Sequence, residues 1–202
     1  MIYKNLRGVM QKQSPPSLLT NQAQMNKSIS SYVGAVATLN RWSGYLARAM
    51  ILAAIVICFG NAVSRKAFDL SSNAYLEIQW YLFGGAFLFA AADTLRANAH
   101  VRIDVLAGKL SLKHRLTIDL IGFTVFLLPF CILMTYFSWP MFTDSFYRHE
   151  LSADAGGLLR WPVKLCIPVG FFLLGLQATA EILKTVVQLK QLEPCNSGAR
   201  HD

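Results

Sequence analysis

Four long apolar blocks, separated by charged segments, limit what this chain can fold into. The blocks cover about residues 42–63, 75–95, 116–139 and 161–183, and most Lys and Arg residues lie between them. Each block is close to the roughly 20 residues that a helix needs to cross a bilayer. Because charged side chains are costly in hydrocarbon, they collect in the loops of membrane proteins. The sequence therefore predicts an all-α integral membrane protein with four transmembrane helices.

The second block ends in a patterned polar segment. Residues 78–92 are almost wholly apolar and lie between Glu77 on one side and Asp93 and Arg96 on the other. Residues 96–115 are basic, with apolar residues at roughly helical spacing among the charges. Such a pattern is typical of a helix that lies at a membrane surface. We therefore expect a short amphipathic cytoplasmic helix between spans two and three.

The blocks divide the chain into three parts. Residues 1–40 are polar, contain no secretory signal and are expected to form a flexible cytoplasmic tail. Residues 41–184 form the four-span membrane domain, and residues 185–202 form a cytoplasmic C-terminal tail. A proline near the middle of span three, Pro129, is expected to kink that helix.

The distribution of Lys and Arg predicts the orientation. Fourteen of them lie on the side of the two termini and five on the opposite side. The positive-inside rule then places both termini in the cytoplasm. The same rule accounts for the net charge of +8 without a nucleic-acid partner. The bilayer is the partner that composition indicates.

The blocks carry little chemistry. All four histidines lie in loops or tails, so no span offers an axial haem ligand. Neither a Gly-rich phosphate loop nor a cluster of catalytic side chains is present. We expect no enzyme activity and no catalytic, cofactor or metal site. The ionisable residues of the blocks fall near the span ends, which favours interfacial anchoring or pairing with another membrane protein.

The second block resembles the small membrane subunit of the tripartite ATP-independent periplasmic (TRAP) transporters, the DctQ-like family. In that family a Glu and an aromatic run open the second helix. Small residues, a His and a basic-apolar-Asp element close the pattern. Here these elements are Glu77, Trp80-Tyr81-Leu82-Phe83, Ala90-Ala91-Ala92 and His100-Val101-Arg102-Ile103-Asp104-Val105. The four-span layout with cytoplasmic termini is also similar, over about residues 42–183.

The resemblance implies a scaffold in the bacterial inner membrane. In such systems a soluble periplasmic substrate-binding protein delivers an organic acid to a two-part membrane complex, and uptake is driven by sodium. The large permease subunit carries the substrate and sodium sites, and the small subunit braces it. The motif would then be a partner interface or a charge network beside it. Its proposed members are Glu77, Trp80, Tyr81, Asp93, Arg96, His100, Arg102 and Asp104.

Two other readings stay open at this point. The chain could be a membrane-anchor subunit of a redox complex, although histidines are missing from its spans. It could also be an autonomous small transporter or channel, which would move solute without a partner. The sequence does not identify the solute.

Overall fold

The structure is a computed structural model that describes residues 16–68, 73–97, 112–153 and 157–192. Every regular element in these ranges is helical, which confirms the all-α prediction. By internal contacts the chain forms two compact units, one ending at Ala35 and the other beginning at Val36. The helices are α1 (Pro16–Phe68), α2 (Asn73–Arg96), α3 (Leu112–Ile121), a π-helical segment (Gly122–Leu127), α4 (Leu128–Tyr147) and α5 (Trp161–Leu192).

Three helical stretches in the described ranges are long and apolar enough to cross a membrane. They are Lys27–Phe68, Lys113–Tyr147 and Trp161–Lys190. Helix α2, with 24 residues, is also long enough to cross. It is less apolar because Gln79, Tyr81 and Asp93 interrupt its apolar residues. The chain is therefore a membrane protein with several candidate spans.

Helix α1 begins much earlier than the sequence indicates. The expected flexible tail is helical from Pro16, and this helix continues without a break through the first apolar block. Proline is well suited to the start of a helix, because its missing N–H would have no helical partner there. The division into tails and membrane domain stays a prediction.

The third block forms one continuous helical stretch with a local change of geometry. Leu128 donates its backbone N–H to the carbonyl of Phe123, five residues earlier, at the end of the π-helical segment. Pro129 follows directly and has no N–H to donate, so the usual α-helical ladder is interrupted here. The proline predicted to kink this span thus coincides with a π-bulge.

The helix also continues beyond Pro140, where the sequence indicates a loop. It ends only at Tyr147. The extra turns are held by aromatic packing: the Phe146 ring lies edge-on to Trp161, with centroids 5.5 Å apart. Asp144 and Arg148 form an ion pair of 2.7 Å one turn apart. Both contacts lie C-terminal to Pro140, within the turns that extend the helix past the predicted end of span three.

Helix α5 lies at the centre and contacts α2, α3 and α4. Small residues allow close approach, since a Cβ on Gly170 would lie only 2.8 Å from Leu88 Cβ. The core in this region is a cluster of four buried residues from three helices: Ala92, Leu95, Cys131 and Leu174.

The contacts also define the helix directions. Gly85 faces Cys166 and Leu88 faces Gly170, so α2 and α5 run parallel. Phe146 of α4 meets Trp161 at the start of α5, whereas Cys131 meets Gly175 farther along. Helix α4 is therefore antiparallel to α5.

Candidate functional site: polar contacts at the two ends of the bundle

Glu77, the first residue of the sequence motif, connects α2 to the loop between α4 and α5. Its Oε1 accepts a 2.5 Å hydrogen bond from the Tyr81 hydroxyl one turn later. Its Oε2 accepts a 3.1 Å hydrogen bond from the backbone N–H of Leu158, 81 positions away. This carboxylate fixes the loop against the start of α2.

The loop has its own ionic anchor in Glu150. This carboxylate pairs with Lys164 in the first turn of α5 and, at 3.3 Å, with Arg160. The hydrogen bond from Lys164 lowers the pKa of Glu150 from its ordinary 4.5 to about 2. The Glu150 carboxylate in turn raises the pKa of Arg160. We call these five side chains the loop cluster: Glu77, Tyr81, Glu150, Arg160 and Lys164.

The backbone completes this end of the bundle. Ser152 donates its N–H to the Leu158 carbonyl, and Arg160 donates to the Glu150 carbonyl, each at 2.9 Å. These bonds form a short hairpin with a single antiparallel bridge between Leu151 and Leu159. His149 has a φ of 48°, a left-handed conformation that turns the chain out of α4.

Trp80 lies beside these contacts but takes no part in them. Its side chain is 79% exposed, and Phe83 and Phe87 are exposed as well. The three rings follow one another at intervals of three and four residues, so they share one face of α2. This face is covered by lipid or by another protein when the chain is in a membrane.

Asp93 and Arg96, at the other end of α2, form an ion pair of 2.8 Å. The Asp93 side chain packs directly on α1 at Gly44, where an added Cβ would collide with the carboxylate. Next to it, the Ser43 hydroxyl donates a 2.6 Å hydrogen bond to the carbonyl of Phe89. Asp93 thus lies at a close α1–α2 contact. The other motif residues at this end, His100, Arg102 and Asp104, lie outside the described residues.

Buried polar side chains join α1 to α5 near the same end. The Asn40 amide donates a 2.7 Å hydrogen bond to Gln177 Oε1, and both side chains are fully buried. Gln177 donates in turn to Glu181 Oε1 at 2.7 Å, and Lys184 pairs with the same oxygen at 2.7 Å. We call these four residues the amide row. Asn40 Oδ1 has no hydrogen-bond partner within the described ranges.

Sequence reasoning missed the amide row. Gln177 and Glu181 are visible in the sequence as polar residues one turn apart toward the end of span four, and the sequence favours interfacial anchoring or pairing with another membrane protein for Glu181 alone. Asn40 falls in the predicted tail, and 137 positions separate it from Gln177. The one sequence signal for this row is the one-turn spacing of Gln177 and Glu181, which predicts that both side chains lie on the same face of the helix.

These polar contacts hold helices and a loop together. Among the described residues, no three His, Cys, Asp or Glu side chains are grouped so that they could hold a metal ion. The polar side chains named above bond mainly to one another. At both ends of the bundle the contacts are hydrogen bonds and ion pairs that stabilise the packing.

Comparison with known proteins identifies the family of this chain. The model of the family described as "Tripartite ATP-independent periplasmic transporters, DctQ component" matches residues 54–188. The match includes α2, α3 and α4 in full, with most of α5 and the later part of α1. The search of curated proteins gives no match. The chain therefore belongs to the DctQ component family of TRAP transporters, whose members are transport components and not enzymes.

Proposed function

We propose that this chain scaffolds the large permease subunit of a TRAP transporter in the bacterial inner membrane. The complex would take up an organic acid delivered by a periplasmic substrate-binding protein, with sodium as the driving ion. The scaffold role is supported by one structural observation. The polar side chains of the loop cluster and the amide row fasten helices or a loop, whereas large apolar faces of the same helices are exposed. Organic acid and sodium are proposed from family membership.

The proposal includes four membrane crossings with both termini in the cytoplasm. The helix directions support it, because α2 and α5 run parallel and α4 runs antiparallel to both. The excess of Lys and Arg on the side of the termini supports the orientation.

The topology can be tested with single cysteines in a cysteine-free chain. Ala153→Cys lies in the loop between α4 and α5, and Ser28→Cys lies in the N-terminal part of α1. An impermeant maleimide added to intact spheroplasts should label position 153 at once and position 28 only after permeabilisation. Labelling of both positions, or of position 28 alone, contradicts the proposed topology.

We propose that the large subunit contacts the exposed aromatic face of α2. Trp80, Phe83 and Phe87 offer a continuous aromatic face, and aromatic side chains dominate the energetics of protein contacts. Asp93 and Arg96, together with His100, Arg102 and Asp104, would form a charge network at the cytoplasmic end. Several partly buried members are needed, because an isolated exposed ion pair contributes only about 0–1 kcal/mol.

Co-purification tests the scaffold role. The tagged chain is expressed with its neighbouring genes in native membranes and recovered in mild detergent. A large permease subunit should elute in equal amount, and the pair should transport in liposomes whereas this chain alone should not. Solute movement by the purified chain alone would favour an autonomous transporter. A haem spectrum in the eluate would favour a redox anchor.

Substitution of Trp80 locates the contact. Trp80→Ala should reduce recovery of the large subunit, and Phe126→Ala, at a comparably exposed ring on the π-helical segment, should not. Equal recovery with both variants would remove the α2 face from the proposal.

A further inference from the structure

Helix α1 carries two arginines and an aromatic pair at the start of its most apolar stretch. We propose that the exposed face formed by Arg41, Tyr45 and Arg48 binds the phosphate headgroup of an anionic phospholipid. The inference requires that α1 crosses the bilayer, for which its length and composition suffice. It is independent of the partner proposed above.

The three side chains share one face of α1. At about 100° per residue, positions 41, 45 and 48 fall within roughly 60° of the helix circumference. The Arg48 guanidinium carbon lies 4.6 Å from the centre of the Tyr45 ring. Trp42 packs edge-on against the same ring, with centroids 6.1 Å apart. Stacking on Tyr45 holds the Arg48 guanidinium over the helical turn N-terminal to its own Cα, the direction in which helix side chains lean.

Both guanidinium groups are available for an anion. Arg41 and Arg48 are exposed, and neither forms an ion pair with any carboxylate of the described ranges. Arginine binds phosphate through a planar fork of N–H donors and stacks on aromatic rings while doing so. Stacking on Tyr45 restricts Arg48, so less side-chain freedom is lost when a phosphate binds.

The surface beyond the arginines fits an acyl chain. The same side of α1 continues as an exposed apolar track made of Leu52, Ile55, Val56, Phe59 and Val63. These positions lie within about 60° of the direction of the arginines. The opposite side of α1 holds the buried Ser43 and Ala47. A phosphate site at the boundary directly above an acyl-length apolar track is the pattern of a phospholipid. A soluble anion would need only the arginines.

Native mass spectrometry of the purified full-length chain, together with any subunit that co-purifies with it, tests this site. Phosphatidylglycerol and phosphatidylcholine are titrated separately. Arg41→Gln/Arg48→Gln should weaken binding of phosphatidylglycerol about 30-fold, as expected for two arginines at a membrane surface. Arg65→Gln/Lys66→Gln removes the same charge from the other end of α1 and should leave that binding within about 3-fold. Tyr45→Leu keeps both arginines and should give an intermediate loss.

Each outcome decides the question. Equal binding by the wild type and Arg41→Gln/Arg48→Gln overturns the site, as does an equal loss in both double variants. A further outcome is that free phosphate at millimolar concentration displaces the lipid from the site. In that case the arginines bind an anion without using the apolar track, and the lipid assignment is wrong. If the large subunit dissociates while lipid binding is unchanged, the arginines pair with protein carboxylates instead. Circular dichroism and gel filtration establish that each variant is folded.

Discussion

The two ends of the helical bundle are fastened in different ways. The loop cluster uses charges: Glu150 pairs with Lys164 and Arg160, and Glu77 binds a backbone N–H of the loop. The amide row uses buried amides, with Asn40 and Gln177 both fully enclosed. Half-exposed ion pairs contribute little because water competes for them. A buried amide is costly to leave unpaired. We infer that the amide row fixes the packing of α1 on α5, whereas the loop cluster only positions a loop.

The largest effect is expected at the α1–α2 contact beside the amide row. In Gly44→Ala the new Cβ would lie 2.9 Å from Asp93 Cβ and collide with the carboxylate. Overpacking of this kind costs typically about 1–3 kcal/mol. We expect a clear fall in the midpoint of thermal unfolding in detergent, measured by tryptophan fluorescence.

Gly60→Ala is the matched control on the same helix. A Cβ at Gly60 meets no atom within 4 Å, so this variant should be neutral or slightly more stable. Equal destabilisation of both variants would show that the close contact with Asp93 is not the cause, because Gly→Ala by itself raises helix propensity.

Gln177→Leu should have the next largest effect. It leaves the Asn40 amide buried without its partner, at a cost of about 1–3 kcal/mol. Gln188→Leu, at an exposed position of α5, should be close to neutral. A double-mutant cycle sharpens the comparison, because Asn40→Leu/Gln177→Leu should lose less stability than the sum of the single variants. Strict additivity would show that the two amides are not coupled.

At the loop end, Tyr81→Phe should act locally. It removes the hydroxyl that donates to Glu77 and leaves the ring in place. We expect faster hydrogen exchange in residues 157–160 with little change in the thermal midpoint. Tyr147→Phe alters a side chain that is 80% exposed and should leave exchange in this loop unchanged. A global loss of stability in Tyr81→Phe would show that the loop cluster, like the amide row, stabilises the whole helical bundle.

The smallest effect on stability is expected when the pH is lowered. The pKa of Glu150 is lowered in the folded chain, so the carboxylate stabilises the loop above its ordinary pKa of 4.5. This contribution should decline as the pH falls from about 4.5 toward 2. Hydrogen exchange in the loop, corrected for its intrinsic pH dependence, should rise over that interval in the wild type. Glu150→Gln should show a smaller rise, because the Glu77 carboxylate also holds this loop, and an identical pH profile in both would exclude Glu150 as its source.

Part of the site could be read from the sequence. The sequence motif includes Glu77, Trp80, Asp93 and Arg96, and the structure brings Asp93 and Arg96 together as an ion pair. Trp80 is exposed as an interface residue would be. That these residues contact a partner stays a prediction. In the sequence Glu150 and Lys164 are visible only as a loop charge and a span-end charge, because no spacing rule connects a loop residue to a helix 14 positions later.

The sequence by itself determined the class of the protein. Hydropathy and charge are local properties of composition, so the apolar blocks, the ionisable residues at their ends and the DctQ family membership could all be read directly. The tertiary structure decided where helices begin and end and which residues meet. It extended the helices to Pro16 and past Pro140 and paired Asn40 with Gln177. Such pairings depend on the rotation of each helix and on its neighbours, which a local pattern does not specify.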